Sequence, residues 1–312
     1  MTRRILSIDG GGIRGILPLA LLVEVEERRG QPCADLFDLI AGTSIGGIIA
    51  TGLAHRLPAK SLYNMLIADG GTIFARSILT DPLSAVRPKY DVAPLETFLA
   101  QTLDDFMLDG VKDVELLVPA CDLVRVDTIF FKSWRARKDP SYNFALKDIG
   151  RATSAAETYF SPAVITSVPG DVYRCIDGGT AINNPAPAAI LEANKLWPGE
   201  GLHVLSLGTG SQTEVLSPAN GGVTGWLPYI PGIFMDFQAS VLDHLAHSAT
   251  KEVTRCDIPL GPNVNPAFDD ASPGNLAALQ SLGQQLVTAQ INAAMAVLAP
   301  RAAAQAAATP SA

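Results

Sequence analysis

The stretch from Leu39 to Ala54 carries no charged side chain, and it constrains the fold more than any other part of the chain. Its apolar character raises the question of a membrane span. It is sixteen residues long, whereas a spanning helix needs about 20 apolar residues. Gly42, Gly46, Gly47 and Gly52 lie within it, and glycines so placed suit a tight turn and close packing better than a lipid-facing helix. The stretch therefore reads as a buried strand, Asp38 to Ala41, then a turn, then a glycine-rich helix from Ile45 to Arg56. At the turn, Gly42-Thr43-Ser44-Ile45-Gly46 has the G-x-S-x-G pattern of a nucleophile elbow, in the strand-to-helix context that gives the pattern meaning. Ser44 would stand alone above the sheet, with its Oγ at a helix N-terminus where free N–H groups favour negative charge.

The same order precedes it. Arg4 to Ile8 reads as a short apolar strand and Leu17 to Arg29 as an amphipathic helix, so the chain opens β-α-β-α, which implies a mostly parallel sheet. Further strands are expected at Glu115 to Cys121, Thr128 to Lys132, Val172 to Ile176 and Leu202 to Leu207. Helices are expected near Ala59 to Ala68, Pro185 to Leu196, Asp236 to Thr254 and Asn275 to Leu298. The pattern predicts an α/β fold, a three-layer α/β/α domain over residues 1–300, with an Ala-rich, disordered tail at 301–312.

Of the 312 residues, 48% are apolar and 17% charged, against roughly 25% charged in ordinary soluble domains. A large core is available, and whole-chain disorder is excluded. The net charge of −8 argues against a nucleic-acid partner. The N-terminus runs from Met1-Thr2-Arg3-Arg4 straight into a strand without an apolar signal region, so a cytoplasmic location is expected, with no transmembrane segment. Cys33, Cys121, Cys175 and Cys256 are widely spaced and read as small buried hydrophobes rather than zinc ligands or disulfides.

Asp9-Gly10-Gly11-Gly12-Ile13-Arg14-Gly15 follows the first strand. Three glycines leave a bare backbone at the strand's C-terminal end, where α/β ligands bind. Their N–H groups can approach a reacting oxygen closely, and Arg14 adds positive charge, so Gly10, Gly11, Gly12 and Arg14 are the oxyanion-hole candidates. The run also satisfies G-x-G-x-x-G, so a phosphate or dinucleotide loop is an alternative, but no carboxylate ends the second strand as that reading requires.

A serine nucleophile needs a base. None of His55, His203, His244 and His247 lies in a glycine-rich loop after a strand, and His244 with His247 reads as a solvated helix face rather than a metal fragment. Asp177-Gly178-Gly179 does follow an apolar strand. Its carboxylate would emerge at the same sheet edge as Ser44, and burial there would raise its pKa towards that of a useful base.

Asp9 to Gly15, Gly42 to Gly46 and Asp177 to Gly179, in that order, resemble the patatin-like phospholipase family. Arg151 to Phe160 is similar to the family's segment before the aspartate strand, with Glu157 where proline is usual. Asn183-Asn184-Pro185 and Ser206 to Gly210 also match, although Asn184-Pro185 is equally a helix start. The resemblance implies a Ser44-Asp177 dyad, an acyl-serine intermediate and a calcium-independent hydrolase of acyl esters that needs neither metal nor organic cofactor. It implies a phospholipid or other acyl-ester substrate and transient contact with a membrane surface. Some bacterial members resemble effectors switched on by cyclic nucleotides, and no motif here marks a pocket for one. Acyl transfer on the same dyad and a non-catalytic phosphate-binding module are the rival readings.

Two segments invite a lipid-contact reading. Phe130 to Lys138 concentrates basic residues beside Trp134, which fits anionic headgroups or, more plainly, the exposed end of a strand. Ser211 to Gly232 reads as a long surface loop, and Trp226, Tyr229, Ile230 and Phe234 are the candidates for a mobile lid over an acyl groove.

Overall fold

The computed structural model describes residues 2–75, 87–212, 226 and 230–299, with the backbone alone at 230, 231, 233 and 234. Among the described residues, eight strands form one mixed sheet: β1 (Thr2–Ile8), β2 (Leu39–Gly42), β3 (Glu115–Asp122), β4 (Asp127–Lys132), β5 (Ala163–Thr166), β6 (Val172–Asp177), β7 (Gly201–Leu207) and β8 (Val253–Cys256). Their order is β5-β6-β3-β2-β1-β7-β8, with β4 also on β3. The pairs β1 with β2, β1 with β7, β2 with β3 and β7 with β8 are parallel, and β4, β5 and β6 join antiparallel.

Among the described residues, the helices that flank the sheet include α1 (Ile16–Arg29), α2 (Cys33–Leu36), α3 (Ile45–Ala54), α4 (Ala59–Ile73), α5 (Ala93–Leu103), α6 (Ser133–Ala136), α7 (Leu146–Thr153), α8 (Ala186–Leu196), α9 (Ile230–Ala249) and α10 (Pro273–Val297). Strand alternation divides the core into two layers. Leu39 and Ala41 face the α8 side, while Ile40 joins the larger cluster under α1, α3 and α5. Because β1 and β2 are covered on both faces, they read in sequence as nearly unbroken apolar runs. Each leucine or isoleucine fully withdrawn from water here contributes about 1.5–3 kcal/mol. This is the α/β/α arrangement the sequence predicts, with a mostly parallel centre.

The differences lie late in the chain. Of the expected loop from Ser211 to Gly232, residues 213–225 and 227–229 lie outside the described residues, Trp226 is helical, and α9 begins at Ile230. Pro231 is tolerated there since a first-turn residue donates no intrahelical hydrogen bond. The expected helix to Thr254 stops at Ala249, and Val253–Cys256 forms β8 beside β7. Four residues are too few to show a period of two against the preceding helical pattern. Cys33, Cys175 and Cys256 are buried, while Cys121 is half-buried, and all four are free thiols. In the basic cluster, β4 ends at Lys132 and passes into α6, with Lys132 paired to Glu192 and Arg137 to Glu115. No helix of the described residues is long and apolar enough to cross a membrane. Residues 301–312 lie outside the described residues.

Candidate active site

The site begins with an arrangement of strands. Leu117 of β3 pairs with Ala41 of β2 on one edge and with Lys132 of β4 on the other. Further along, Ala120 pairs with Ile129 of β4 and, opposite it, with Asp177 of β6. β2 and β6 therefore occupy the same edge of β3 and meet end to end. β2 runs up to the meeting point and turns away at the elbow, while β6 runs down to it and turns away at Gly178.

Ser44 sits at that junction with φ 55° and ψ −125°. This is a conformation that L-residues rarely adopt and that elbows store at their nucleophile. The flanking glycines are sterically required. A Cβ on Gly42 would lie 2.0 Å from the Gly46 carbonyl oxygen, and one on Gly46 would lie 2.3 Å from that of Ile8. The Ser44 N–H donates to Thr153 Oγ1 at 3.0 Å, and the Thr153 hydroxyl donates to the Pro119 carbonyl at 2.6 Å. α7 thus ties the elbow to the segment of β3 that lies between β2 and β6.

The Ser44 hydroxyl donates to Asp177 Oδ2 at 2.6 Å, and the Gly179 N–H donates to Asp177 Oδ1 at 2.7 Å. Ser44 is 8% and Asp177 5% exposed, so the pair lies away from bulk water. Burial raises the Asp177 pKa to about 7, against the two hydrogen bonds that stabilise its charged form. The Glu157 carboxylate adds to the rise by repulsion. A carboxyl group tuned near neutrality can take a proton from a hydroxyl and return it.

Gly10 lies beside Ser44 and Gly12 lines the same cavity, while Gly11 packs on Thr209, so the three glycines are not equivalent. The Gly10 N–H is already donated to the Asn183 carbonyl at 3.1 Å, which corrects the expectation that it points at a reacting oxygen. Among the described residues, the Gly11 and Gly12 N–H groups have no acceptor. Gly12 has φ +55°, and a Cβ there would meet the Phe268 carbonyl at 2.1 Å. Arg14 is corrected too. Its guanidinium is buried, stacks 4.2 Å over the Phe268 ring and is not among the residues lining the cavity, so its charge acts from behind the loop. Burial lowers its pKa to about 10, against Asp236, Asp257 and Asp9, which leaves it charged.

A cavity of about 560 Å³ opens from Ser44 and Asp177 and runs between apolar walls that include Ile48, Leu66, Leu95, Phe98 and Phe160. Its volume and lining suit one flexible hydrocarbon chain ending at a polar reacting group. Met235 of α9 also lines it. Of the lid candidates, Trp226 is helical and 39% exposed. Tyr229 lies outside the described residues, and Ile230 and Phe234 are helical with side chains outside them. None of the four histidines lines the cavity. Among the described residues, no three His, Cys, Asp or Glu side chains gather as a metal-ligand group.

The sequence pattern of the patatin-like phospholipase family matches residues 6–190. The chain belongs to that family. It is 30% identical to a cGAMP-activated phospholipase of Vibrio cholerae, over 91% of this chain and 90% of that protein. It is also 30% identical to patatin-like protein 2 of Arabidopsis thaliana, over 91% of this chain and 82% of the relative. Patatin-like protein 9 of the same plant, described as probably inactive, is 32% identical over 69% of this chain and 62% of its own length. Membership therefore fixes the family, and activity has to be argued from the site.

Three residues of this patatin-like site take roles that the sequence reading does not assign, although Thr153 and Asn183 lie in segments that match the family. Thr153 holds the elbow and Asn183 holds Gly10, as described. The third is Arg255 on β8, which donates to Asp9 Oδ2 at 2.6 Å and to Ser206 Oγ at 2.9 Å beneath the glycine run. Burial would lower the Arg255 pKa, but the Asp9 and Asp257 carboxylates outweigh it and hold it above its ordinary value. Burial raises Asp9 to about 6 against the pull of Arg255. Thr209 completes the floor by donating its hydroxyl to the Gly10 carbonyl at 2.7 Å. In sequence, Arg255 is one basic residue in a short strand, and nothing local links it to Asp9.

Proposed function

We propose that the chain is a serine acyl hydrolase of the phospholipase A or lysophospholipase type. It would cleave fatty-acyl esters through an acyl-serine intermediate, with Ser44 as nucleophile and Asp177 as base. The family is one of lipid hydrolases. The observation that carries the finer reading is the buried 2.6 Å hydrogen bond from Ser44 to a carboxyl group raised to about 7, at the mouth of an apolar cavity.

Asp177 takes the Ser44 proton as Oγ attacks the ester carbonyl carbon. The carbonyl oxygen becomes an oxyanion held by the Gly11 and Gly12 N–H groups, with the Arg14 charge behind them. Removing one such donor typically costs about 10²–10³ in rate. The tetrahedral centre collapses, the C–O bond to the alcohol breaks, and the leaving oxygen takes the proton from Asp177. Water then attacks the acyl-serine and gives its proton to Asp177. Ser44 leaves and recovers that proton, and the fatty acid is released. The fatty-acyl chain occupies the apolar part of the cavity, walled by Ile48 of α3, Leu66 of α4 and Leu95 and Phe98 of α5.

Incubation with phosphatidylcholine in detergent micelles tests the reading. The wild type is expected to release fatty acid and Ser44→Ala to release none. Equal release by Ser44→Ala would overturn the assignment. Adding glycerol separates hydrolysis from transfer, since free fatty acid is expected to remain the main product.

A further inference from the structure

α9 presents an apolar stripe that nothing in the described structure covers. Phe237 is 64%, Val241 60% and Leu245 48% exposed. Residues spaced by four lie on one helix face, and at 1.5 Å per residue this line is about 12 Å long. The other exposed residues of α9 are Ser240, His244, His247, Ser248 and Ala249, and none of its exposed residues is lysine, arginine, aspartate or glutamate. The two acidic residues of the helix, Asp236 and Asp243, are part-buried instead. A helix face turned to water ordinarily carries charge, so a bare apolar face marks a contact.

The stripe begins one half-turn from the site and runs away from it along α9. Met235, two residues before Phe237, lines the cavity. The Gln238 side chain accepts from the Asn183 N–H at 2.6 Å and donates to the Thr180 carbonyl at 3.2 Å, fastening α9 to the loop that follows Asp177. The same end of the sheet carries more exposed aliphatic side chains. Leu123, Val124 and Val126, in the β3–β4 turn, are 44%, 62% and 89% exposed. That turn lies further along β3 than Ala120, the partner of Asp177.

We infer that the outer face of α9 seats the protein on an uncharged or zwitterionic lipid surface, with Phe237, Val241 and Leu245 entering the headgroup–acyl boundary. A second copy of the chain fits less well. Three side chains on one line about 12 Å long make a patch far smaller than the roughly 800 Å² per partner of a stable dimer. The lack of basic residues on the face argues for neutral rather than anionic headgroups. Seating at this face delivers a lipid ester to the end of the cavity that holds Ser44. The inference rests on the acyl-hydrolase reading for its substrate, but lipid binding can be measured without catalysis.

The test uses Phe237→Ser/Val241→Ser/Leu245→Ser and, as a milder change, Phe237→Asp. Each is made in the wild type and in Ser44→Ala. Flotation of the Ser44→Ala proteins with phosphatidylcholine vesicles is expected to show at least a tenfold loss of binding for the triple variant and a severalfold loss for Phe237→Asp. On the wild-type background, hydrolysis of vesicle lipid is expected to fall by at least tenfold, with hydrolysis of a water-soluble short-chain ester changed less than twofold. Undiminished vesicle binding overturns the inference, as does a wild-type dimer that the substitutions dissociate in sedimentation velocity. If no protein cleaves the soluble ester, the acyl-hydrolase reading fails, and flotation still decides the surface.

Discussion

Ser44 and Asp177 are 133 residues apart in the chain and 2.6 Å apart in the fold, because the strands that carry them meet end to end on one edge of β3. The separation is set by β3 itself. Val118 and Pro119 fill the gap between the residue paired with Ala41 and the residue paired with Asp177. Thr153 then bonds the Pro119 carbonyl to the Ser44 N–H and fixes the height of the elbow above that gap.

The Asp177 carboxyl is expected to cost stability at the pH where it works. Its pKa is about 7 in the fold against an ordinary 3.8. Between those values the unfolded chain has released the proton and the folded chain has kept it, so stability falls as pH rises through the window. About three units correspond to roughly 4 kcal/mol. Asp177→Asn, measured by thermal melting, is expected to match the wild type near pH 4 and to exceed it above pH 7, with hydrolysis abolished.

Under the proposed mechanism the same carboxyl sets the acid limb of the rate profile. Activity is expected to rise with pH through about 7 as Asp177 ionises. Glu157, which stands where the family usually has proline, contributes to the high value by repulsion and accepts a hydrogen bond from Thr180. Glu157→Gln removes the charge and keeps an acceptor. The acid limb of kcat/KM is expected to move to lower pH, with the alkaline side unchanged.

Arg255 is expected to act as a positioning residue. Arg255→Met leaves Asp9 buried without its partner, a change of the kind that costs about 3–5 kcal/mol. With the floor of the glycine run loosened, kcat is expected to fall more than KM rises. Arg255→Lys, which keeps the charge, is expected to recover part of both stability and kcat.

The elbow glycines are expected to fail by geometry alone. Gly42→Ala places a methyl group 2.0 Å from the Gly46 carbonyl oxygen, and backbone cannot yield as a flexible side chain would. Overpacking of this kind costs about 1–3 kcal/mol or more. Lower melting temperature and lost hydrolysis are the expected readouts.

What the sequence revealed was local. The strand–turn–helix passage around Ser44, the glycine run after β1 and the aspartate after β6 are each written within a few residues, so their positions at strand ends were readable. What it concealed is tertiary. Nothing near Gly10 says that its N–H is given to Asn183, nothing near Arg14 says that its side chain turns behind the loop onto Phe268, and nothing near Arg255 points to Asp9. The start of α9 was missed because Pro231 and Gly232 suggest a loop, although both are acceptable in a first helical turn.

The central claim is that Ser44 is the nucleophile activated by Asp177, and labelling with a fluorophosphonate followed by peptide mass spectrometry tests it most directly. The expected result is one adduct on the peptide carrying Ser44 in the wild type, none in Ser44→Ala, and strongly slowed labelling in Asp177→Asn. An adduct on another residue, or hydrolysis by a protein whose Ser44 stays unlabelled under the same conditions, would contradict it.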